Sequence, residues 1–459
     1  MAALEVHDKF TGDLIQTLPE AEAEQVDAAV RRAAAAFDAW SATPAHRRAA
    51  ILLAAAQRIA ARSDEFTALI AREAGKAWKY SAGEVARSVE TFTFAGEEAK
   101  RIHGETVPMD ASAFGEKRVG FYLRSPLGVV AAITPFNFPL NLVAHKVGPA
   151  LAAGNTLVLK PAEETPLTAI LMADCFRDAG LPDGVLELVH GRGEVTGEAL
   201  VRHPTPAKIS FTGSPPVGAH ILSVAGLKRV TLELGNNSGT LVEPDANLDL
   251  AVPRTVMSAF ANSGQVCISL QRLYVHESIA KTFIDRFVAA TRALKVGNPL
   301  DRDCDVGPMI SDEAAERADS WIQEAIAEGA TPLVERRREG RMLWPMVLTN
   351  TRPEMKVMCR EAFAPLVSIV TYRDFDQGLS MLADSPYGLQ AGIYTKDLQK
   401  AFKAVAKLDV GGVIVNDTSI FRVDQMPYGG NRMSGIGREG VRFAIEEMTN
   451  LKLVCFNLE

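Results

Sequence analysis

The chain is poor in cysteine. Five occur in 459 residues, widely separated: Cys175, Cys267, Cys304, Cys359 and Cys455. An odd count with no paired spacing argues against a disulfide-stapled fold and offers no zinc-type ligand set, so a reducing compartment is expected and a metal site is not. Long apolar runs are missing as well. No stretch approaches the ~20 residues a membrane span needs. Residues 1–17 are polar and lack the apolar core of a secretory leader. A cytoplasmic location and no membrane partner are expected. Charge of one sign is also lacking, with 49 Lys and Arg against 56 Asp and Glu, a net −7. That balance, without a basic stripe, argues against nucleic acid as a partner. Arg336-Arg337-Arg338 reads as a solvated turn. Internal repeats and low-complexity linkers are absent, so the parts of the chain are expected to pack as one body.

The composition that remains, 47% hydrophobic and 23% charged, is that of an ordinary globular protein. At ~150 residues per domain the length predicts two or three domains. Lys9-Phe10-Thr11-Gly12-Asp13 reads as a turn between short strands. Val26, Ala29, Val30, Ala33, Phe37 and Trp40 form one apolar helix face from about residue 21. A second amphipathic helix carries Ile51, Leu52, Ala55, Ile59 and Phe66, and a third is expected over residues 82–101. Residues 120–125 read as extended. Five strand-like segments then alternate with helical segments, at residues 128–134, 156–160, 185–189, 207–211 and 229–234, the first an apolar run with no alternation. Runs without polar alternation are strands buried on both faces, and alternation with helices predicts a doubly wound parallel sheet in an α/β fold. Ligands in such sheets sit beyond the carboxyl ends of the strands. Those ends hold Asn137, Lys160, Glu163, Ser214 and Glu233. Gly191, Gly193 and Gly197 miss the dinucleotide-binding glycine spacing by one residue, so cofactor binding is not rested on them.

A second alternating region follows from about residue 241, and within it lies Asn262-Ser263-Gly264-Gln265-Val266-Cys267. A cysteine attacks carbonyl carbon as its thiolate, so this setting is expected to lower the thiol's pKa from about 8.5. Gly264 permits a close backbone approach, with neighbouring N–H groups facing developing charge.

Seven motifs occur in order: Pro-Phe-Asn-Phe-Pro at 135–139, Lys-Pro-Ala-Glu at 160–163, Phe-Thr-Gly-Ser at 211–214, Leu-Glu-Leu-Gly at 232–235, Gly-Gln-Val-Cys at 264–267, Glu361-Ala362-Phe363, and Pro-Tyr-Gly-Gly at 427–430. Together they resemble the aldehyde dehydrogenase superfamily over essentially the whole chain. The run from Pro135 and the cysteine motif are similar to the lactaldehyde and non-phosphorylating glyceraldehyde-3-phosphate dehydrogenase branch. The resemblance implies an NAD-binding domain (1–104 with 126–235), a catalytic domain (236–430) and an oligomerisation element (105–125 with 431–459). A homodimer or homotetramer is implied with it.

The same resemblance implies oxidation of an aldehyde to a carboxylic acid through a cysteine thiohemiacetal and thioester. Cys267 would be the nucleophile, Asn137 an oxyanion donor and Glu233 the base for hydrolysis. Because Glu233 is present, hydrolysis is expected rather than transfer to coenzyme A. Cofactor contacts would come from Ile133, Pro135, Phe136, Lys160, Glu163, Gly213, Ser214, Leu234, Glu361 and Phe363. Two Glu163 oxygens suit the ribose hydroxyls and repel a 2′-phosphate, which favours NAD, with NADP possible. Asn236, Ala362 and Asn431-Arg432 depart from the family's usual residues without removing a chemical group.

For the substrate, Phe138, Leu142 and His145 fall on one face if the segment after Asn137 is helical, and that face would line the tunnel. Arg87 resembles a phosphate-binding arginine of the branch, although Val266 stands where those relatives carry another. A short polar or anionic aldehyde is expected. Two other readings need fewer of these residues. A thiol-based acyl hydrolase or transferase would use Cys267 without Lys160, Glu163 or Glu361. A non-catalytic structural protein on the same scaffold would need none of the three catalytic groups.

Overall fold

Residues 129–133 form an unbroken apolar run because they lie in the middle of a sheet, buried on both faces; 156–160 and 208–212 are as fully buried, although Lys208, Ser210 and Thr212 alternate with apolar residues. The computed structural model describes residues 3–459. The first large sheet runs Gly435–Ile436, Arg229–Glu233, Lys208–Thr212, Val129–Ile133, Thr156–Lys160, Leu186–Leu188 in space, parallel except for the first strand. Val129–Ile133 comes first in the chain yet sits inside the sheet. The chain steps outward from it on one side and then crosses to Lys208–Thr212 on the other. The loops after these two strands therefore diverge and leave a crevice between them.

A second sheet has seven strands, in the order Thr331–Pro332, Met346–Thr349, Leu366–Tyr372, Arg272–His276, Gly239–Val242, Gln390–Tyr394, Gly412–Val415. It is parallel apart from its first strand. The fold is thus α/β, as the alternation of strands and helices predicts. The helices ahead of the first sheet differ from the sequence expectation in their breaks. The second amphipathic run divides at Arg62 into Ala45–Ala61 and Ser63–Ala74, and the third begins at Trp78 and runs to Ala99. Its first turns bury Ser81 and Glu84, polar residues that hide the apolar period there. No helix among the described residues is long and apolar enough to cross a membrane.

The tail Thr449–Asn457 pairs antiparallel with Arg118–Pro126, from Thr449 opposite Pro126 to Asn457 opposite Arg118. Thr106–Val107 adds on the other side of Arg118–Pro126. Residues 431–448 do not belong with this three-stranded arm, contrary to the boundary drawn from the sequence. Gly435–Ile436 joins the first sheet beside Glu233, and helix Val441–Glu447 buries Val441 and Ile445 in that sheet's core.

Candidate active site

Cys267 stands between two cavities. One, of about 590 Å³, is walled by Phe138, Leu142, Ile268, Tyr428 and several cations. The other, of about 270 Å³, is walled by Pro135, Phe136, Asn137, Gly213, Ser214, Leu234, Glu361 and Phe363. Cys267 and Leu142 line both. The second cavity occupies the crevice where the first sheet's strand order reverses.

The backbone leading to Cys267 is strained. Helix Leu248–Phe260 ends, and Asn262 (φ 51°), Ser263 (φ 56°) and Gly264 (φ 70°) are all left-handed. Asn262 and Ser263, which are not glycine, cost about 1–3 kcal/mol each there and persist only where surroundings hold them. The Asn262 amide donates to the carbonyls of Asn137 and Gln265, at 3.2 Å each. Ser263 Oγ donates to the Gly307 carbonyl at 2.8 Å. Gln265 Oε1 accepts from the Ile310 N–H at 3.0 Å. A Cβ on Gly264 would lie 2.0 Å from the Ala364 carbonyl oxygen, so glycine is the one residue that fits. The close approach inferred from the sequence is made here, against the segment that follows Phe363.

Asn137 reaches the same point. Its amide donates one hydrogen to the Gln265 carbonyl at 2.9 Å, two residues before Cys267, which leaves the second hydrogen uncommitted. Glu233, at the end of its strand, is buried, and neither carboxylate oxygen has a hydrogen-bond partner among the described residues. Burial, reinforced by the charge of Glu439, pushes its pKa well above the usual carboxylate range. A Cβ on Gly429 would come within 2.8 Å of Glu233 Oε1, so the carboxyl lies beside the residue that follows Tyr428.

The thiol differs from the sequence expectation. It is not acidified; burial pushes Cys267 up to about 11. The residue is half-buried and keeps an edge in both cavities. Desolvation of the thiolate outweighs the hydrogen bond from Tyr428 and the charge of Arg422, which both act in the opposite direction.

The residues of the second cavity suit a nicotinamide dinucleotide. The Thr212 hydroxyl lines it, is buried and has no partner, as has Thr134 at the end of the neighbouring strand. Ser214 is the N-cap of helix Pro215–Val224 and spends no side-chain bond on capping. Prolines at the first two positions of that helix remove two N–H donors, so an anion there would meet the Ser214 hydroxyl and the positive helix end. Glu361 Oε1 accepts from the Asn236 N–H at 2.8 Å, and burial pushes the group up to about 7. A Cβ on Gly235 would strike its other oxygen at 2.2 Å. The rings of Phe136 and Phe363 meet edge to face at 5.9 Å. Ile133, Lys160 and Glu163 lie outside the walls of this cavity. Ile133 pairs with Lys160 at the ends of adjacent strands, and Lys160 Nζ donates to Glu163 at 3.0 Å.

Of the expected substrate contacts, Arg87, Phe138 and Leu142 line the larger cavity, and His145 does not. Helix Asn141–Ala153 is buried on every side. The segment carrying Asp424 covers it at His145, whose Nε2 lies 2.8 Å from that carboxylate. Four cations that sequence reasoning passed over also line the cavity: Lys76, Lys79, Arg254 and Arg422. Arg422 is the most buried arginine among them. Its guanidinium lies 3.6 Å from the centre of the Tyr428 ring and donates to Glu439 at 3.3 Å, while its Nε has no partner. Its nearness to Pro-Tyr-Gly-Gly was the available signal. A lone arginine in a loop otherwise looks like a surface residue.

The family model described as the aldehyde dehydrogenase family matches residues 2–454. A 3-sulfolactaldehyde dehydrogenase of Priestia aryabhattai is 47% identical over 456 residues, covering 99% of this chain and 95% of its own. Aldehyde dehydrogenase 21 of Physcomitrella patens, solved with the reaction product succinate, superposes with a TM-score of 0.97 at 39% identity, covering 100% of this chain and 95% of its own. Glyceraldehyde-3-phosphate dehydrogenase GapN of Methanocaldococcus jannaschii, solved with NADP, gives 0.95 at 38% identity, covering 99% of both chains.

Proposed function

The chain belongs to the aldehyde dehydrogenase family, and from that premise we propose that it oxidises a short aldehyde with an anionic far end, using Cys267 as nucleophile. The carrying observation is that Cys267 stands in the walls of two cavities at once, one rich in cations and one in the sheet crevice. A reaction that passes hydride from substrate to cofactor needs such a shared wall. Neither an acyl transferase without redox chemistry nor a structural protein does.

Cys267 Sγ adds to the aldehyde carbon and leaves a charged oxygen. The uncommitted N–H of Asn137 and the backbone N–H of Cys267 receive that charge, each worth about a hundred- to thousandfold in rate. A bound nicotinamide supplies the acceptor for the hydride expelled when the oxyanion collapses. Cys267 then carries the acyl group as a thioester. Glu233 takes a proton from the water that attacks the acyl carbon, the carbon–sulfur bond breaks, and the acid leaves. Burial raises the Glu233 pKa, so this step quickens as pH rises. Thr212, Ser214, Glu361 and Phe363 would hold the cofactor, with Lys160 and Glu163 at its ribose.

The choice of an anionic aldehyde rests on Arg87, Arg254 and Arg422 in the tunnel wall. Relatives named for 3-sulfolactaldehyde or solved with succinate handle molecules with a charged far end. Val266 removes one cation found in relatives that take a phosphorylated aldehyde, which favours a carboxylate or sulfonate. The exposed Leu451, Leu453 and Phe456 of the three-stranded arm support pairing of copies there, and two separate sheets support distinct cofactor-binding and catalytic units.

Formation of NADH or NADPH from matched neutral and anionic aldehydes tests this. Higher kcat/KM for the anionic member, falling with ionic strength, is expected. Equal values across the pairs would remove the anionic substrate.

A further inference from the structure

Within the proposed mechanism the Tyr428 hydroxyl has no task, yet it is the nearest polar group to the nucleophile. Its oxygen is 2.9 Å from Cys267 Sγ. The residue is 3% exposed, so its ring and hydroxyl are held by protein groups on most sides. The ring is held on several sides. Its own N–H and carbonyl both bond to Glu439, at 3.0 and 2.6 Å. Arg422 packs on the ring face at 3.6 Å. Gly429 follows with φ 155° and has no room for a side chain beside Glu233, which fixes the chain just past the ring. Nothing in this arrangement is needed to fill space, because a phenylalanine ring would fill it equally. The hydroxyl is the added feature, and it points at sulfur.

We propose that Tyr428 is a catalytic residue of the reaction described above: its hydroxyl donates a hydrogen bond to the Cys267 sulfur, favours the thiolate and aims it into the tunnel. The inference rests on Cys267 being the nucleophile. Between phenol and thiol, the phenol keeps its proton. An ordinary phenol is a weaker acid than an ordinary thiol, and burial and the neighbouring Cys267 push Tyr428 well above its usual range. When the thiol ionises, the S–H bond breaks and its proton leaves to water in the tunnel. The phenol O–H stays intact, and no bond to carbon forms in that step. Arg422 over the ring draws electron density from it and strengthens the donor.

A hydrogen bond to a charged acceptor is stronger than one to a neutral acceptor, so the bond tightens on ionisation. Each pH unit by which a thiol is acidified gives tenfold more thiolate, while nucleophilicity falls only about threefold. The net gain below the thiol's pKa is about threefold per unit.

The test is the pH dependence of Cys267 alkylation by iodoacetamide, in the free enzyme, for wild type and Tyr428→Phe. Cys267→Ser subtracts reaction at other cysteines. We expect the Tyr428→Phe profile to be displaced upward by about one to two pH units, with alkylation at pH 8 about 3- to 10-fold slower. Melting temperature should be unchanged and kcat should fall more than KM shifts. Superimposable profiles would overturn the proposal, whatever happens to kcat. Failure of the wild type to form NADH with any aldehyde would instead remove the functional reading, and the alkylation profiles would still decide what Tyr428 does to the thiol.

Discussion

Arg87 and His145 are joined through Asp424: its Oδ1 accepts from an Arg87 terminal nitrogen at 2.6 Å and lies 2.8 Å from His145 Nε2. A second Arg87 bond, from Nε to Oδ2, is 3.2 Å long. Asn141 adds another at 3.1 Å. Despite burial, which works the other way, the His145 bond and the Arg87 charge hold Asp424 well below the usual carboxylate range. Arg87 thus spends two of five N–H donors on Asp424 and keeps three for the tunnel. The two residues should respond differently to mutation. Arg87→Ala should raise KM for anionic aldehydes about 10- to 100-fold relative to neutral ones, the loss of about 1.5–3 kcal/mol expected for a charged hydrogen bond. His145→Ala should leave that ratio alone and lower stability, because a buried carboxylate loses a partner. Paired specificity profiles and thermal melts separate the outcomes. A changed ratio in His145→Ala would restore it as a substrate contact.

Glu233 combines an exposed task with a hostile site. Both oxygens are buried without partners among the described residues. Glu233→Gln removes the base and keeps the shape. Turnover should fall about 10²–10⁴-fold, while the first turnover remains as a burst of reduced cofactor, read by rapid mixing. Stability should move the other way. A carboxyl whose folded pKa is raised contributes stability below its unfolded pKa, and that contribution is lost as pH rises through the folded value. The glutamine has no such loss. Melting temperatures should therefore favour Glu233→Gln at neutral and alkaline pH, and the advantage should vanish below about pH 4.5, the carboxyl's ordinary value. A wild type that melts higher at pH 8 would show that the carboxylate is well accommodated.

How far the sequence led differs from residue to residue. The strand Val129–Ile133 was legible because full burial leaves an unbroken apolar run, and Lys208–Thr212 because it falls between helical segments in the same alternation. Their carboxyl ends, with that of Arg229–Glu233, then pointed to Asn137, Ser214 and Glu233 through a rule about sheets. Asp424, Arg422 and Tyr428 were not grouped because they arrive from a loop with no periodicity, and the partners of Asp424, which are Arg87 and His145, lie hundreds of positions away. His145 was misplaced for a related reason. Periodicity gives the face of a helix and says nothing of which faces are covered, and Asn141–Ala153 is covered on all of them. The thiol's state was misread because the sequence shows its polar neighbours while the burial of the sulfur is a property of the assembled site. Residues 431–448 were assigned to the arm on the family resemblance, whereas the apolar face of Val441–Glu447 takes them to the core.

Gly264 offers a control that few active-site residues have. Gly12, in the turn at the start of the chain, is also left-handed, at φ 80°, and a Cβ there meets nothing within 4 Å. Alanine at Gly12 therefore carries the backbone cost alone, about 1–2 kcal/mol. At Gly264 the same substitution adds a contact of 2.0 Å with the Ala364 carbonyl oxygen, which is backbone and cannot rotate aside. Relief requires moving the segment from Phe363 or the one from Asn262, and either displaces Cys267 from the junction of the two cavities. A shift of that kind is expected to cost kcat on the order of a hundredfold even where binding survives. Gly12→Ala should melt slightly lower with wild-type kcat. Gly264→Ala should melt lower still and lose kcat, with iodoacetamide reactivity of Cys267 altered in step. If the two alanine variants behaved alike, the tight packing behind the nucleophile would have no catalytic consequence.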